Sequence, residues 1–248
     1  MKSIWLLFSM VLAIPAALAQ ENASPSQDIV LPTRAEIAAG LNGVDASDLR
    51  DSAVAGFYEV SVGSKVAYIS HDGRFLMEGE LYNLETSENL TENARAAARI
   101  DLLAGVDPAQ MIVFSPEGRA ADHTITIFTD IDCGYCRQFH REIDTVTALG
   151  VEVHYLFYPR TGPATESWSK AERVWCASDR NTALTNAKLG GQVPELSCTD
   201  NPVAEHYDLG RKVGVTGTPS IYSSGGVHIG GYLPPQQLLD TLIQLESR

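Results

Sequence analysis

The feature that most constrains this chain is a Cys-Gly-Tyr-Cys motif, residues 133–136, placed where a strand gives way to a helix. The β-branched run 123–128 predicts the strand, and the apolar spacing over residues 134–149 predicts the helix. A cysteine at a helix N-terminus gains thiolate character, because unpaired N–H groups and the helix dipole stabilise the anion. A second cysteine within the next turn can then capture a mixed disulfide. The motif therefore predicts a redox-active pair, Cys133 and Cys136, with Gly134 and Tyr135 leaving the first sulfur uncrowded on one side.

Two other interpretations of this motif stay open on the residues alone. A zinc site would need a second pair of ligands at close spacing, and Cys176 and Cys198 stand far apart with no partner close by. His140 could supply a third ligand, although a surface position on the predicted helix is the simpler interpretation of that histidine. A static disulfide over two residues at a helix start would be strained and reducible. Redox activity is the favoured interpretation, with no metal and no cofactor expected.

The N-terminal residues predict an export signal. Lys2 supplies the positive start, residues 4–14 are apolar, and Ala17-Leu18-Ala19 has the small-x-small pattern of a cleavage site. The apolar run is shorter than the about 20 residues that cross a hydrocarbon core, so an uncleaved membrane anchor is the weaker interpretation. We expect a cleaved signal peptide over residues 1–19 and export, most simply to a bacterial periplasm, although these residues also fit a eukaryotic secretory route.

The net charge argues against one class of partner, and the export signal indicates the oxidation state of the other two cysteines. The chain has 18 Lys and Arg against 31 Asp and Glu, a net charge of −13 that argues against nucleic-acid binding through a broad basic face. In an oxidising compartment Cys176 and Cys198 most simply pair as a structural disulfide. A second redox couple is the alternative, but it lacks the close spacing that fast resolution needs.

Two regions of different periodicity flank a helical segment. Residues 34–41 predict a short helix with Thr33 as its N-cap, and residues 54–84 alternate as short antiparallel strands around a hairpin turn at residues 71–74. A unit this small buries few apolar side chains and gains stability by pairing with another copy. Residues 89–106 predict a connecting helix with Thr91 as its N-cap, and both a solvated connector and a packed helix are open.

The second region, from about residue 111, predicts an α/β arrangement with a mixed sheet. Thr218-Pro219 precedes its strand at residues 220–222. This proline is either a strand terminator or a cis-proline that bends the chain against the active sulfurs, and the sequence alone favours trans. The remaining predicted elements are a strand at 151–158, helices at 166–177, 181–189, 203–213 and 235–245, and a hairpin through 220–229.

Taken in order, four motifs resemble the DsbC/DsbG family of bacterial periplasmic disulfide isomerases, in the thioredoxin superfamily. The motifs are Thr129-Asp130-Ile131-Asp132-Cys133-Gly134-Tyr135-Cys136, Trp175-Cys176-Ala177, Gly214-Val215-Thr216-Gly217-Thr218-Pro219 and Gly231-Tyr232-Leu233-Pro234-Pro235. The Cys-Gly-Tyr-Cys motif is more similar to DsbC than to its sister DsbG, which carries proline after the first cysteine.

The resemblance implies a fold and a set of roles. It implies a small N-terminal α+β dimerisation domain (20–88), a linker helix (89–110) and a thioredoxin-fold catalytic domain with a helical insertion (111–248), assembled as a V-shaped homodimer. Cys133 and Cys136 would be the catalytic pair, Thr218-Pro219 the substrate-binding cis-proline pair, and Cys176–Cys198 the structural disulfide. Misoxidised exported proteins would be the clients, and a DsbD-like membrane protein the reductant.

Two features leave parts of this expectation open. Asp132 stands where DsbC commonly has a neutral residue, and a carboxylate there should disfavour the Cys133 thiolate. The strand 124–128 contains no acid that could take the proton of Cys136, so Asp130 and water are the candidates. The alternatives to an isomerase are a net oxidase, a DsbG-like or other periplasmic thiol reductase, and a holdase chaperone whose cysteines are incidental.

Overall fold

The structure, a computed structural model, describes residues 31–193 and 195–247. The expected signal peptide, residues 1–19, and the start of the expected N-terminal domain, residues 20–30, lie outside the described residues. The helices, numbered in chain order, are α1 (Arg34–Ala39), α2 (Leu90–Ala104), α3 (Gly134–Arg141), α4 (Ile143–Ala148), α5 (Glu166–Trp175), α6 (Arg180–Lys188), α7 (Val203–Val213) and α8 (Pro235–Glu246). The strands are β1 (Leu49–Asp51), β2 (Phe57–Val62), β3 (Lys65–Ser70), β4 (Leu76–Met77), β5 (Ile112–Phe114), β6 (His123–Thr129), β7 (Val151–Phe157), β8 (Ser220–Ser223) and β9 (His228–Gly230).

The N-terminal part is a small antiparallel sheet covered by α1. Its strands follow the order β1-β2-β3-β4. Thr33 caps α1 as predicted, through a capping box with Glu36. This helix places Ile37 against Leu49, Val60 and Ile69, which together form most of the buried core of the sheet. A core of this size stabilises a separate unit only weakly, as the sequence indicates.

One edge of this sheet is apolar and exposed. Strand β4 ends the strand order, so the outer side of its backbone is a free edge of the described sheet. Phe75, Leu76 and Met77 all project substantial apolar surface into solvent there, and Leu84, further along the chain, is 92% exposed. Exposed apolar edge strands favour association with another chain.

The N-cap of α2 is Asn89, so the prediction of Thr91 in that role is wrong. The Asn89 side chain accepts from the Glu92 backbone N–H, which satisfies a donor of the first turn. Thr91 is instead buried within the helix, where its hydroxyl contacts the Tyr68 hydroxyl at 2.6 Å and accepts from the Leu81 backbone N–H. Both residues are good caps by type, and the buried polar partners of Thr91 decide between them.

The sequence left open whether α2 is a solvated connector or a packed helix, and the structure shows a packed helix. Leu102 and Leu103 contact a buried cluster that includes Phe128 and Tyr222 of the C-terminal sheet. The turn between β8 and β9 also lies close to α2: Gly226 has a φ of +74°, and an added Cβ would collide with the Ala96 carbonyl.

Arg99 fastens α2 to two further segments of the chain. Its guanidinium donates to the Val213 carbonyl at the end of α7 (3.3 Å) and to the Gly226 carbonyl (3.4 Å), and it pairs with Glu92 at 2.6 Å. It also lies over the Tyr222 ring, 5.4 Å from its centroid.

Replacing Arg99 by methionine should therefore lower the free energy of unfolding by about 2–4 kcal/mol, because two buried carbonyls lose their donor. Urea unfolding measures this loss. The matched control is Arg95→Met on the same helix, whose more exposed side chain pairs with Glu80 and Glu92 and should contribute about 1 kcal/mol or less. Equal losses for the two variants would contradict this role of Arg99.

The C-terminal part is built on a five-stranded sheet in the order β5-β7-β6-β8-β9. Strands β6 and β7 are parallel and the other neighbours are antiparallel, which confirms the predicted mixed sheet. One face packs against a cluster with members from α3, α4, α5, α6 and α8, and the opposite face meets the α2 cluster. Helices α5 and α6 lie between β7 and α7 along the chain and form the predicted helical insertion.

The single helix predicted over residues 134–149 is wrong, because the structure breaks it at Glu142. The backbone of Glu142 leaves the helical region (φ −105°, ψ +10°), and its carboxylate accepts a hydrogen bond from the Tyr232 hydroxyl. Neither glycine nor proline marks the break. The apolar spacing continues through both helices, with Phe139 in α3 and Ile143 in α4 buried in one core, and it therefore concealed the change of direction.

Within residues 31–193 and 195–247, none of the helices has the length and apolar character that crossing a bilayer requires.

Candidate active site

The end of β6 and the start of α3 place the two cysteines. Cys133 is the N-cap residue of α3, with extended backbone angles (φ −79°, ψ +124°), and Cys136 lies in the first turn. The turn before it is closed by a hydrogen bond from the Cys133 N–H to the Asp130 carbonyl at 3.2 Å. Both thiols are free and nearly buried, with Cys133 3% and Cys136 1% exposed. Tyr135 between them is exposed and stacks on Tyr232.

The surroundings of Cys133 favour its thiolate. A hydrogen bond from the Cys136 thiol, opposed by burial and aided by the Thr218 side chain, the Cys136 backbone N–H and the charge of Arg160, lowers the pKa of Cys133 to about 5. The start of α3 acts in the same direction. At neutral pH this sulfur is therefore an anion, which is the nucleophilic form.

The second sulfur is tuned in the opposite direction. Burial, together with the hydrogen bond that its thiol donates to Cys133, raises the pKa of Cys136 far above the ordinary thiol value. The nearby Lys188 and Thr129 side chains lower it in part. The opposite shifts suit a division of roles in which one sulfur attacks a disulfide while the other keeps its proton.

Thr218 lies against the Cys133 sulfur, and the peptide bond from Thr218 to Pro219 is cis. The Cys133 sulfur is 3.0 Å from the Thr218 carbonyl oxygen, to which its thiol form donates. The buried Thr218 hydroxyl lies near this sulfur and lowers its pKa, and among the described residues it makes no hydrogen bond of good geometry, so it can donate to the thiolate or to an incoming group. The structure thus brings together all the residues predicted from the cysteine and proline motifs.

Asp130 is one of the two candidates for the proton acceptor of Cys136, but its carboxylate is occupied by other hydrogen-bond donors. Its buried carboxylate accepts from Ser167, from the Arg160 backbone N–H and side chain (both 3.0 Å) and from the Asp132 backbone N–H (2.9 Å). Burial alone would raise the pKa of Asp130, but these donors hold it below its ordinary value. A carboxylate so stabilised is a weak base.

Asp132, expected to disfavour the thiolate, is balanced by two cations. Its carboxylate pairs with Arg137 at 2.8 Å and with Lys170 at 3.0 Å. Opposite charges at this distance offset most of the field that a lone carboxylate would place on Cys133. The Asp132 side chain therefore leaves the low pKa of the neighbouring thiol in place.

Sequence reasoning missed Lys188, the buried cation of the site. This residue ends α6 and is 1% exposed, and its ammonium donates to Thr129 Oγ1 at 2.7 Å and to the Asp130 carbonyl at 2.8 Å. Burial lowers the pKa of Lys188 to about 8. Its spacing from Leu184 and Ala187 on the apolar side of α6 was the available signal, because lysine rarely occupies a buried helix face.

His140 is buried, so the surface position predicted for it is wrong. Its ring contacts the Tyr155 hydroxyl at 3.1 Å and the Thr185 hydroxyl at 3.0 Å. Burial, with the charge of Lys188, lowers the pKa of His140 to about 4, so the ring is neutral at physiological pH. It is a satisfied core residue. Within the two described ranges, no group of three or more His, Cys, Asp or Glu side chains could hold a metal ion.

Cys176 and Cys198 form a disulfide in the structure. Cys176 is the C-cap of α5, and the bridge closes the segment that contains α6 across a sequence separation of 22. This bridge ties the helical insertion to the loop that precedes α7.

Comparison with known proteins assigns the chain to a family. Residues 108–246 match the thioredoxin-like domain, and residues 15–92 match the N-terminal domain of disulfide bond isomerase proteins. The thiol:disulfide interchange protein DsbC of Escherichia coli K12 is 32% identical over 242 residues, 98% of this chain and 96% of that protein. The chain belongs to the DsbC family. It is a thiol:disulfide interchange enzyme with an N-terminal DsbC domain and a C-terminal thioredoxin fold, which confirms the fold class and the family resemblance.

Other members of the DsbC family are similar over most of their length. The DsbC of Dickeya dadantii is 36% identical over 203 residues, 81% of this chain and 82% of that protein. Among solved structures, a disulfide interchange protein from Neisseria gonorrhoeae is 28% identical with a TM-score of 0.46, covering 56% of this chain and 97% of that one.

Proposed function

We propose that this DsbC-family enzyme is a periplasmic disulfide isomerase that reshuffles wrongly paired disulfides in exported proteins. The observation that carries the proposal is the thiolate at Cys133, held at the start of α3 between Cys136 and the Thr218-Pro219 segment. A sulfur that is anionic at neutral pH and has a protonated neighbour is suited to attack a disulfide and then to wait for a resolving thiol.

The proposed reaction has two outcomes from one intermediate. The Cys133 thiolate attacks a client disulfide, forms a mixed disulfide and releases one client thiolate. Another client thiol then attacks the mixed disulfide and restores Cys133, which is isomerisation. Alternatively Cys136 attacks it, which oxidises the Cys133–Cys136 pair and reduces the client. A DsbD-like membrane protein would return the oxidised pair to its dithiol form.

Client binding is proposed to use the backbone at Thr218 and Pro219. Main-chain pairing with an extended client segment tolerates many sequences, as an enzyme with many substrates requires. The free Thr218 hydroxyl adds a donor beside the reacting sulfurs. The second disulfide, Cys176–Cys198, is proposed to be structural, and export through a signal peptide over residues 1–19 would bring both pairs into an oxidising compartment.

Homodimerisation is proposed to occur through the edge of the N-terminal sheet. The exposed apolar side chains of β4 and its neighbours form a surface that pairing with a second copy would bury. In such a dimer the two copies would place their active sites around one cleft, where a partly folded client could be held. This cleft is the proposed basis of chaperone-like binding.

Replacing Leu76 by lysine should weaken the dimer on the order of 100-fold, because each association would bury two unpaired charges. Sedimentation at micromolar concentration measures the change from dimer to monomer. The matched control is Ile243→Lys on α8, which introduces the same charge at another exposed apolar position and should leave the assembly unchanged. A Leu76→Lys protein that remains dimeric would contradict an interface at β4.

Refolding of a protein with scrambled disulfides tests the proposed activity. The reduced enzyme, present in catalytic amount, should restore native pairing faster than glutathione alone. A dedicated reductase would instead leave the client reduced, and a holdase would suppress aggregation without changing the disulfides. Either of these results would replace the isomerase proposal.

A further inference from the structure

The proposed exchange reaction gives no role to the buried ammonium of Lys188. A lysine this buried must offset the loss of hydration, and it does so through the Thr129 hydroxyl and the Asp130 carbonyl. Both partners lie at the end of β6, on the side of the site occupied by Cys136.

The Thr129 hydroxyl links Lys188 to the surroundings of the resolving cysteine. It accepts from Lys188 at 2.7 Å, and it lies near enough to Cys136 to lower the pKa of that thiol. A hydroxyl has one hydrogen and two lone pairs, so it can accept from one neighbour while donating to the other. The three side chains are all buried, and the Thr129 hydroxyl is placed to pass a proton between Cys136 and Lys188.

The other charged and titratable groups around Lys188 do not offer Cys136 an equivalent base. The Asp130 carboxylate is held by Ser167 and Arg160, and His140 is neutral and bonded to Tyr155 and Thr185. Arg137 on α3 opposes the charge of Lys188, whereas Cys133, Cys136 and Asp130 favour it.

We propose that Lys188 accepts the proton of Cys136 through the Thr129 hydroxyl when Cys136 resolves a mixed disulfide. This inference rests on the proposed thiol exchange at Cys133. In this proposal Thr129 passes the proton from the reacting sulfur, and Lys188 acts through it as a positioning and proton-holding residue.

The step balances in protons and electrons. The neutral Lys188 amine takes the hydroxyl proton of Thr129 while Thr129 takes the thiol proton of Cys136. The Cys136 sulfur then forms a bond to Cys133, the bond between Cys133 and the client breaks, and the client thiolate leaves and is protonated by solvent. Over the two attacks together, the cysteine pair is oxidised by two electrons and the client disulfide is reduced by two.

The pKa of Lys188, about 8, supports this assignment. An amine of this pKa is partly neutral at physiological pH, so it can both accept and release a proton.

A two-phase reaction of the full enzyme with a chromogenic aromatic disulfide tests the proposal. Attack by Cys133 releases the first chromophore, and attack by Cys136 on the resulting mixed disulfide releases the second. Lys188→Met should slow the second phase at least tenfold at pH 7.5 and leave the first within about threefold. The wild-type second phase should level off above about pH 8, whereas that of Lys188→Met should keep rising with pH.

Three further variants separate proton acceptance from charge and packing. Lys188→Arg keeps the charge but cannot give up a proton, so it should also lose the levelling near pH 8. Thr129→Val should slow the second phase, and Thr129→Ser, which restores the hydroxyl, should recover most of the rate even if the arginine variant fails to fold. Lys212→Met, which removes an exposed lysine of α7, is the charge-matched control and should leave the second phase within about twofold.

The outcomes distinguish this inference from the proposed function. If the first phase is absent in the wild type, thiol exchange at Cys133 itself is wrong. If the first phase is present but the second phase of Lys188→Met keeps the rate and pH profile of the wild type, the inference is wrong. A Lys188→Arg variant that restores both the rate and the profile would overturn it equally, since charge alone would then suffice.

Discussion

Replacing Cys133 by serine should abolish catalysed refolding of a scrambled multi-disulfide protein, leaving the rate of the buffer alone. A serine hydroxyl cannot form or exchange a disulfide, and no other described thiol is placed to substitute, since Cys136 is buried and holds its proton. The expected loss is at least about 100-fold in the catalysed rate, equivalent to about 3 kcal/mol in the barrier. The measurement is recovery of client activity under a glutathione buffer.

Two companion variants make this result specific. Cys136→Ser keeps the attacking thiolate but lacks internal resolution, so mixed disulfides with the client should accumulate and be visible on non-reducing gels. Replacing Cys176 and Cys198 together by alanine should keep the refolding activity while lowering stability by about 2–4 kcal/mol. If Cys133→Ser refolded the client as well as the wild type, the proposed function would be untenable.

The second large effect concerns reactivity towards an alkylating agent below neutral pH. Because the pKa of Cys133 is about 5, this thiol should be mostly anionic at pH 6, where a thiol of ordinary pKa near 8.5 is about 0.3% ionised. We expect alkylation of Cys133 to be roughly 5–12 times faster than that of free cysteine at this pH, since the lower basicity of the thiolate removes most of the advantage. Mass spectrometry of quenched samples assigns the modified residue.

The pH profile of alkylation carries the sign of the shift. The rate at Cys133 should fall to half as the pH is lowered through about 5, and Cys136 should stay unmodified across the neutral range. Asp132→Asn should not raise the pH midpoint of alkylation at Cys133, because it removes a carboxylate that Arg137 and Lys170 already balance. A profile for Cys133 with its midpoint near pH 8.5 would show that the site does not stabilise the anion.

The same lowered pKa links stability to pH in the reduced enzyme. A thiol whose folded pKa lies below its unfolded value contributes stability that is complete above the unfolded pKa and is lost as the pH falls through the folded pKa. The contribution of Cys133 should therefore decrease from about pH 9 down to about pH 5. The Cys133→Ser protein lacks this dependence, which allows the two melting temperatures to be compared over that range.

Local patterns in the sequence predict the parts of the fold that short-range chemistry decides. The N-cap at Thr33 needs only a neighbouring glutamate, and the hairpin turn at Gly73 needs only a residue that accepts a positive φ, here +69°. The redox-active cysteine pair is likewise predicted from the spacing of the two cysteines and from the strand before them. These features depend on residues within a few positions of each other.

What the sequence could not predict depends on contacts between distant segments. The cap of α2 was misplaced because Thr91 is bound by Tyr68, and the break at Glu142 coincides with a contact to Tyr232, 90 residues away. The short strands β1 and β5 were also missed, and each is defined by its pairing, β1 with β2 and β5 with β7. Lys188 reaches Thr129, 59 residues away, only after α6 has packed against the end of β6.

The attachment of α2 sets a rule for building chimeras with relatives in the DsbC family. Two consecutive turns of this helix meet fixed points, Ala96 at Gly226 and Arg99 at the Val213 carbonyl. Inserting one residue between them would rotate one contact by about 100° against the other. A chimera that exchanges the N-terminal sheet should therefore be joined upstream of Ala96. A chimera that also exchanges α2 should take the end of α7 and the β8–β9 turn from the same relative.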